Sequence, residues 1–268
     1  NNYLGYGNCV ENAAIKGHNF YDSEISGNVI IDNPTNAIWL DCGYEGTRVN
    51  RNLIARCRSG VLVEVGFCRE GHEMVFDNNL ILSCNDGIVF SSASDFYAAH
   101  NLIANCSRAF RFNLQDRWYR ERFHDKAQRC ELVNVHVCNN LLAGNRQFGT
   151  LHGDGPDEVV RDFRFFANII EKQPVIETRP PGRTISVTMV ENTVLDVRAE
   201  LGSDNRVLCI DVPDGLPRVE LPEALGRHEM VDYFGEMIDA NPWPGPVQGL
   251  RPGKQEFDLC AKHALAAS

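Results

Sequence analysis

The stretch Asn52-Leu-Ile-Ala-Arg-Cys-Arg-Ser-Gly-Val-Leu-Val-Glu (52–64) recurs twice farther along the chain. Asn79 opens Asn-Leu-Ile-Leu-Ser-Cys-Asn-Asp-Gly-Ile-Val-Phe-Ser, and Asn101 opens Asn-Leu-Ile-Ala-Asn-Cys-Ser-Arg-Ala-Phe-Arg-Phe-Asn. Weaker copies begin at Asn28, Asn140, Asn168 and Asn192. With these included, the intervals between successive copies are 24, 27, 22, 39, 28 and 24 residues. A period in the low twenties with insertions between copies is typical of a solenoid.

Each copy holds two short runs of β-branched or aliphatic residues, split by Gly, Asn, Asp or Ser, without a 3.6-residue stripe. Leucine-rich repeats have a similar period but usually contain a helical segment. The pattern therefore favours an all-β fold, a parallel β-helix whose rungs are short strands paired in parallel with those of the next rung. The repeated asparagines are expected to stack as a ladder at a turn, each amide bonding to the next rung.

Side-chain alternation predicts which residues face outward. Trp39 and Asp41 face outward in one copy, and Glu64 faces outward in the next. A slip of one residue would bury both carboxylates without partners, at a cost of several kcal/mol each. The outward column that contains them is predicted to run through Asp41, Glu64, Ser91, Asn113 and His152.

The two acids of this column lie 23 positions apart and on adjacent rungs. Adjacent strands are about 4.7–4.9 Å apart, and the carboxyl groups of a retaining glycosidase are about 5–5.5 Å apart. Two carboxyls this close cannot both ionise cheaply, so one is expected to supply a proton while the other attacks a sugar. The alternative is a pair of solvated surface acids, although like charges on adjacent strands are mildly destabilising.

Three more residues of this face are candidate sugar contacts. Trp39 could form a stacking platform, unless a neighbouring loop covers it. Asn113 and His152 could bind sugar hydroxyls, although a lone histidine is more often structural. Arg48 is expected to pin a turn rather than touch substrate.

The longest interruption of the repeat, residues 114–138, is predicted to leave the coil on the same face. Long loops on such scaffolds often build the wall of a site. Trp118, Tyr119 and Arg120 are therefore candidate sugar contacts, the alternative being a loop packed on itself.

Composition excludes several kinds of partner. The 268 residues carry a net charge of −10, which disfavours nucleic acid and anionic membranes. No apolar run approaches ~18 residues, so no membrane span is predicted. Cys57, Cys84 and Cys106 each follow a repeat asparagine by five residues, which predicts a buried stack rather than a metal site. Ten cysteines without a Cys-x-x-Cys pair favour free thiols, a reducing compartment and, slightly, the cytoplasm.

Two parts of the chain differ in pattern. Residues 1–200 are predicted to form the β-helix, and an N-terminal portion is expected to be missing because the chain opens within a repeat. Residues 201–268 contain most of the prolines and no clear repeat. This segment is predicted to wrap along the coil or cap its end, with a short helix at Glu229–Ile238.

Several motifs resemble glycoside hydrolase family 120, β-xylosidases built on a right-handed parallel β-helix. They are Ile38-Trp-Leu-Asp-Cys-Gly-Tyr-Glu-Gly-Thr-Arg-Val, Leu62-Val-Glu-Val, Asp77-Asn-Asn-Leu-Ile-Leu, Leu151-His-Gly-Asp, Asp232-Tyr-Phe-Gly and Asn241-Pro-Trp-Pro-Gly-Pro. The resemblance covers most of the chain and corresponds to the C-terminal half of the family's length. It implies a right-handed coil, Asp41 as nucleophile and Glu64 as acid/base, and it adds Asp154 to the candidate sugar contacts.

The predicted function is that of a retaining, β-xylosidase-like glycoside hydrolase acting on xylo-oligosaccharides, without a metal or organic cofactor. One rival is a polysaccharide lyase on the same scaffold, which would need a basic residue and often calcium. The outward strip is expected to hold two acids and no lysine, which weakens that rival. The other rival is a solenoid that binds carbohydrate without catalysis.

Overall fold

The computed structural model describes residues 12–120, 122, 125–153, 160–179, 181, 187–222, 225–226, 228 and 230–260. Three seven-stranded parallel sheets dominate this part of the chain, and each circuit of the chain contributes one strand to each sheet. The described strands therefore stack as seven rungs of a parallel β-helix, which confirms the predicted architecture. Its right-handed sense stays a prediction.

Sheet A carries the outward column predicted from the sequence. Its strands, in rung order 1 to 7, are Ala13–His18, Asn36–Asp41, Ser59–Gly66, Asp86–Ala93, Arg108–Leu114, Gln147–Gly153 and Ile176–Arg179. Sheet B comprises Glu24–Ser26, Arg48–Asn50, Met74–Asp77, Phe96–Ala99, Leu132–Cys138, Val160–Phe166 and Val187–Val190. Sheet C comprises Val29–Ile31, Leu53–Ala55, Leu80–Leu82, Leu102–Ala104, Leu141–Ala143, Ile169–Ile170 and Thr193–Val194.

The turn between sheets B and C contains the asparagine ladder. In the buried part of the stack, the Asn101 Oδ1 atom accepts hydrogen bonds from the backbone N (3.0 Å) and Nδ2 (2.9 Å) of Asn79. The same pair of bonds repeats from Asn28 to Asn192, which confirms the predicted ladder. Each asparagine follows a residue with positive φ, for example His100 at 54°. A residue in the left-handed conformation lets the chain turn sharply, and the asparagine amide then forms hydrogen bonds with the backbone groups that the turn leaves unpaired.

Apolar side chains fill the interior of the coil. Ile38, Leu40, Val61 and Val63, from the strands that carry the two acids, are fully buried in it, as alternation predicts. Phenylalanines of rungs 3 to 6 stack in its centre and make a continuous aromatic column. The interior therefore fixes which side chains of sheet A face outward.

The repeat cysteines Cys57, Cys84 and Cys106 belong to the same core. Each thiol lies near the carbonyl oxygen two residues earlier, at 3.4, 3.6 and 3.5 Å respectively. Their positions confirm the predicted buried stack.

The C-terminal segment packs against two sides of the coil. An antiparallel sheet of Arg198–Leu201, Val207–Val212 and Gly253–Asp258 shares an apolar cluster with the outward leucines of sheet C. A smaller cluster joins Leu225, Met230 and Ile238 to the outer side of sheet B. Neither cluster includes outward residues of sheet A, so that face carries the acid pair away from the C-terminal segment.

The helix predicted at Glu229–Ile238 is wrong over 230–238. The chain turns there, and Val231 forms an isolated bridge with Met237. The Asp232 Oδ1 atom accepts hydrogen bonds from the backbone N of Phe234 (2.8 Å) and Glu236 (3.0 Å). The aspartate thus takes the amide hydrogens that a helix would use, a common way for this residue to favour turns.

Across the described residues, no helix has the length and hydrophobicity needed to cross a lipid bilayer.

Candidate functional site

The register of sheet A places the predicted outward column in a straight line. The residues paired from rung 1 to rung 7 are His18, Asp41, Glu64, Ser91, Asn113, His152 and Arg179. Asp41 and Glu64 are direct partners on adjacent rungs. The two carboxylates are thus displayed on one face by neighbouring strands.

Asp41 is only 8% exposed and lies among polar neighbours. Its Oδ2 atom is 3.2 Å from both Lys16 Nζ and His18 Nε2. Its Oδ1 atom accepts a hydrogen bond of 3.2 Å from the Cys42 thiol. The Lys16 ammonium and the His18 ring thus hold the Asp41 side chain from rung 1.

The sequence prediction missed Lys16 and His18. They occupy rung 1 at the positions that Trp39 and Asp41 occupy in rung 2, with the same spacing of 23 residues. The first strand lies before the earliest repeat asparagine, so alignment on the asparagines did not reach it. Extending the period by one more copy would have found both residues.

Glu64 faces the long insertion of the coil. The Arg117 Nη1 atom donates a hydrogen bond of 2.7 Å to Glu64 Oε1 across two rungs. Nothing in the repeat pattern signals this contact, because Arg117 lies outside the repeat. The sequence prediction therefore missed it.

The insertion forms a hairpin in which Trp118–Tyr119 pairs with Gln128–Arg129. The hairpin leaves the coil after the sheet A strand of rung 5, before the sheet B strand of the same rung, and reaches back toward the first rungs. The Tyr119 hydroxyl donates to the Cys42 carbonyl oxygen (3.2 Å) and lies 3.1 Å from Asn19 Oδ1. One wall beside the acid pair is therefore made by this hairpin.

The aromatic and basic candidates differ in exposure. Trp39 lies on the outward side of sheet A but is only 4% exposed, and Lys16 Nζ lies 3.5 Å from its ring centroid. A cation over the ring occupies the surface that a sugar would stack on, so the platform requires Lys16 to move. Trp118 is 67% exposed, and Arg120 is exposed at the hairpin. Among the described residues, neither of these two side chains forms a hydrogen bond or an ion pair with Asp41 or Glu64.

The candidates farther down the column are held by neighbours on the same face. The Asn113 Oδ1 atom accepts a hydrogen bond of 3.0 Å from Arg111 Nε. The His152 Nε2 atom lies 3.1 Å from the Thr150 hydroxyl. Partial burial, together with the charges of Arg111 and Arg179, lowers the pKa of His152. Asp154 lies outside the described residues.

Arg48 forms a structural ion pair. Its Nε and Nη2 atoms donate to the two carboxylate oxygens of the fully buried Asp77, at 2.8 and 2.7 Å. A bidentate pair of this kind fixes the strand positions of rungs 2 and 3 in sheet B. This position supports the structural interpretation of Arg48.

One group within the described residues has the spacing of a metal site. Ligand atoms of His18, Asp41 and Cys42 lie within 4.8 Å of one another. However, Lys16 already places a positive charge 3.2 Å from Asp41. Burial and the hydrogen bond to Asp41 raise the pKa of the Cys42 thiol to about 12, whereas metal binding needs a thiolate. A cation at this place would have to displace Lys16 and release the proton of the Cys42 thiol.

Comparison with known proteins shows similarity at the level of the fold. No family model matches the chain, and no curated protein matches it. A solved structure of XylC in complex with xylose aligns with a TM-score of 0.60 and 16% sequence identity, over 92% of this chain and 44% of XylC. The chain thus shares its fold with somewhat less than half of a protein that binds xylose.

Proposed function

We propose that the chain is a retaining glycoside hydrolase, similar to family 120, that releases xylose or a related sugar from oligosaccharides. The observation that carries the proposal is the direct pairing of Asp41 and Glu64 on adjacent rungs of an outward face. Adjacent strands give the short carboxyl separation that a double displacement needs. The fold shared with XylC, solved with xylose, supports a sugar ligand.

Asp41 is proposed to be the nucleophile. Its carboxylate attacks the anomeric carbon as the glycosidic oxygen leaves, and a covalent glycosyl-enzyme ester forms. Lys16 and His18 hold the carboxylate from the side of rung 1. This leaves the side facing rung 3 for the substrate.

Glu64 is proposed to be the acid/base. It protonates the departing oxygen in the first step, then takes a proton from the water that hydrolyses the ester. The Arg117 guanidinium donates to Glu64 Oε1 at 2.7 Å, so Arg117 has to leave before that oxygen can pass a proton to the substrate. The Arg117 side chain is 41% exposed and lies on the hairpin, which makes this displacement inexpensive.

Aryl β-xylosides with good and poor leaving groups test these roles. Asp41→Ala should abolish turnover of both, because no ester can form. Glu64→Ala should lose far more activity on the poor leaving group, which needs protonation. Asp211→Ala, which removes an exposed carboxylate from the C-terminal sheet, is the matched control. Wild-type activity of Asp41→Ala would refute the proposal.

A lyase is the second candidate, and one observation favours it. Lys16 lies outside the predicted column, in register with Trp39, but it contacts both Asp41 and Trp39 from rung 1. A lysine could abstract a proton beside a uronate carboxyl group. A lyase would yield an unsaturated product that absorbs in the ultraviolet, whereas hydrolysis would not. Activity that disappears with a chelator would also favour a calcium-dependent lyase.

A carbohydrate-binding solenoid without catalysis remains the third alternative from the sequence. Calorimetric binding of xylo-oligosaccharide by wild-type protein, with no product over many hours, would favour it.

A further inference from the structure

Beyond the acid pair, toward rung 7, the outward face of sheet A carries basic residues. Arg108 and Arg111 belong to rung 5, and Arg179 belongs to rung 7. His152 of rung 6 lies between the two rungs. The chain as a whole carries a net charge of −10, so this basic strip, defined as Arg111, His152 and Arg179, stands out from the rest of the molecule.

Neighbouring acids only partly neutralise the strip. Asp86 is buried and forms its closest ion pair with Arg108, while the Arg111 Nη1 atom lies farther away, 3.6 Å from Asp86 Oδ2. Glu177 accepts a hydrogen bond of 2.9 Å from Gln147.

The exposed members of the strip keep donors for a ligand. The Arg111 side chain is 32% exposed and uses Nε to hold Asn113. Arg179 is exposed, and no ion pair involving it occurs within the part of the chain that the structure describes. Burial, followed by the charges of Arg111 and Arg179, lowers the pKa of His152, so the histidine adds no positive charge of its own at neutral pH.

Distances along the column relate the strip to the acid pair. His152 and Arg179 lie three and four rungs beyond Glu64. At about 4.8 Å per rung, these separations are roughly 14 and 19 Å. A pyranose ring in a β-linked chain is about as long as one rung spacing. A sugar in the strip would therefore lie a few residues away from a bond cleaved at the acid pair.

We propose that the substrate is an acidic oligosaccharide, in which a uronic acid binds the basic strip while a neutral sugar lies between Asp41 and Glu64. Guanidinium groups match the planar carboxylate with paired hydrogen bonds, whereas sugar hydroxyls alone do not need excess positive charge. Acids at rungs 2 and 3 and arginines at rungs 5 and 7 give such a substrate one orientation. The inference rests on the proposed function for the position of the cleaved bond.

The test measures binding, so that it does not depend on turnover. Calorimetry on the Asp41→Ala protein compares a xylo-oligosaccharide that carries a glucuronic acid with an undecorated one of equal length. The decorated sugar should bind about tenfold more tightly, as expected for partly exposed charge-assisted hydrogen bonds. Adding Arg111→Gln and Arg179→Gln should remove this preference and leave the neutral sugar's affinity unchanged. Adding Arg161→Gln and Arg164→Gln on sheet B removes the same charge elsewhere and should preserve it.

Equal affinity for the two sugars, or a preference that survives Arg111→Gln and Arg179→Gln, would overturn the inference. A sulfated oligosaccharide bound as tightly as the uronate would overturn the carboxylate assignment. Failure of the proposed function is seen separately, as a wild-type protein that shows the binding preference but releases no sugar from aryl xylosides. An unsaturated product from the decorated sugar would assign the same strip to a lyase.

Discussion

Replacing Asn101 with alanine should destabilise the protein strongly, because this residue lies in the middle of the ladder. Its Nδ2 atom donates to the carbonyl oxygens of Phe76 and Ala99, both at 3.0 Å, and its Oδ1 atom accepts from the backbone N of Asn79. All of these groups are buried. Alanine therefore leaves backbone donors and acceptors without their partners in a place that water cannot easily reach.

The expected loss follows from the number of groups left unsatisfied. A buried polar group without a partner costs about 1–3 kcal/mol. Two such groups, the Asn79 backbone N and the Phe76 carbonyl, give a loss of roughly 4 kcal/mol in the free energy of unfolding. Asn192→Ala is the matched control, since Asn192 ends the ladder and is only half-buried. Solvent can replace its bonds, so we expect about 1 kcal/mol there.

Urea denaturation followed by far-ultraviolet circular dichroism measures both losses. The two variants should differ in midpoint with similar slopes, because both expose the same surface on unfolding. If Asn101→Ala loses no more stability than Asn192→Ala, the ladder is not the device that holds the turn.

Three further outcomes are expected. Burial lowers the pKa of His100 to about 4, so between pH 6.5 and 4 this histidine is protonated in the unfolded chain but neutral in the folded one. Stability should therefore be complete above pH 6.5 and fall by on the order of 3 kcal/mol toward pH 4, with a smaller fall in His100→Gln, as urea midpoints across this range will show. Gly87→Ala should cost about 2 kcal/mol of unfolding free energy, because its Cβ would lie 2.5 Å from a carbonyl oxygen of the next rung. A methyl group at Gly226 meets no atom of the described residues within 4 Å, so Gly226→Ala should be neutral, and equal urea midpoints for the two variants would contradict the packing. Iodoacetamide should label Cys42 much more slowly than the exposed Cys260 at pH 8, since the pKa of Cys42 is raised to about 12; equal rates by mass spectrometry would contradict this.

Periodic features of the fold could be predicted from the sequence. Asn52, Asn79 and Asn101 recur with the same flanking residues, so each copy predicts a turn and two strands without knowledge of the others. Alternation then assigns Asp41 and Glu64 to the outside, since the apolar residues between them must fill the coil. Each of these inferences uses only neighbouring residues in the sequence. The regular stacking of rungs then determines which residues lie next to one another in the structure.

Contacts that cross several rungs could not be predicted in this way. Arg117 reaches Glu64 from 53 residues farther along the chain, through a hairpin with no repeat of its own. The covering of Trp39 by Lys16 depends on how an outward side chain packs, which alternation does not specify. The turn at Asp232 could not be predicted either. The stretch has a helical composition, but the Asp232 carboxylate accepts hydrogen bonds from two backbone amides and stabilises a turn instead.

The C-terminal segment gives the coil a property that simple repeat stacks lack. In a solenoid each repeat contacts its neighbours alone, so end repeats can fray one at a time. Here one apolar cluster joins the segment to sheet C from Leu53 in rung 2 to Ile169 in rung 6. This brace ties distant rungs together, so the rungs it spans gain or lose order as a unit. A protease cut that releases the C-terminal segment should therefore destabilise several rungs at once, even though the cut lies outside the strands of the coil.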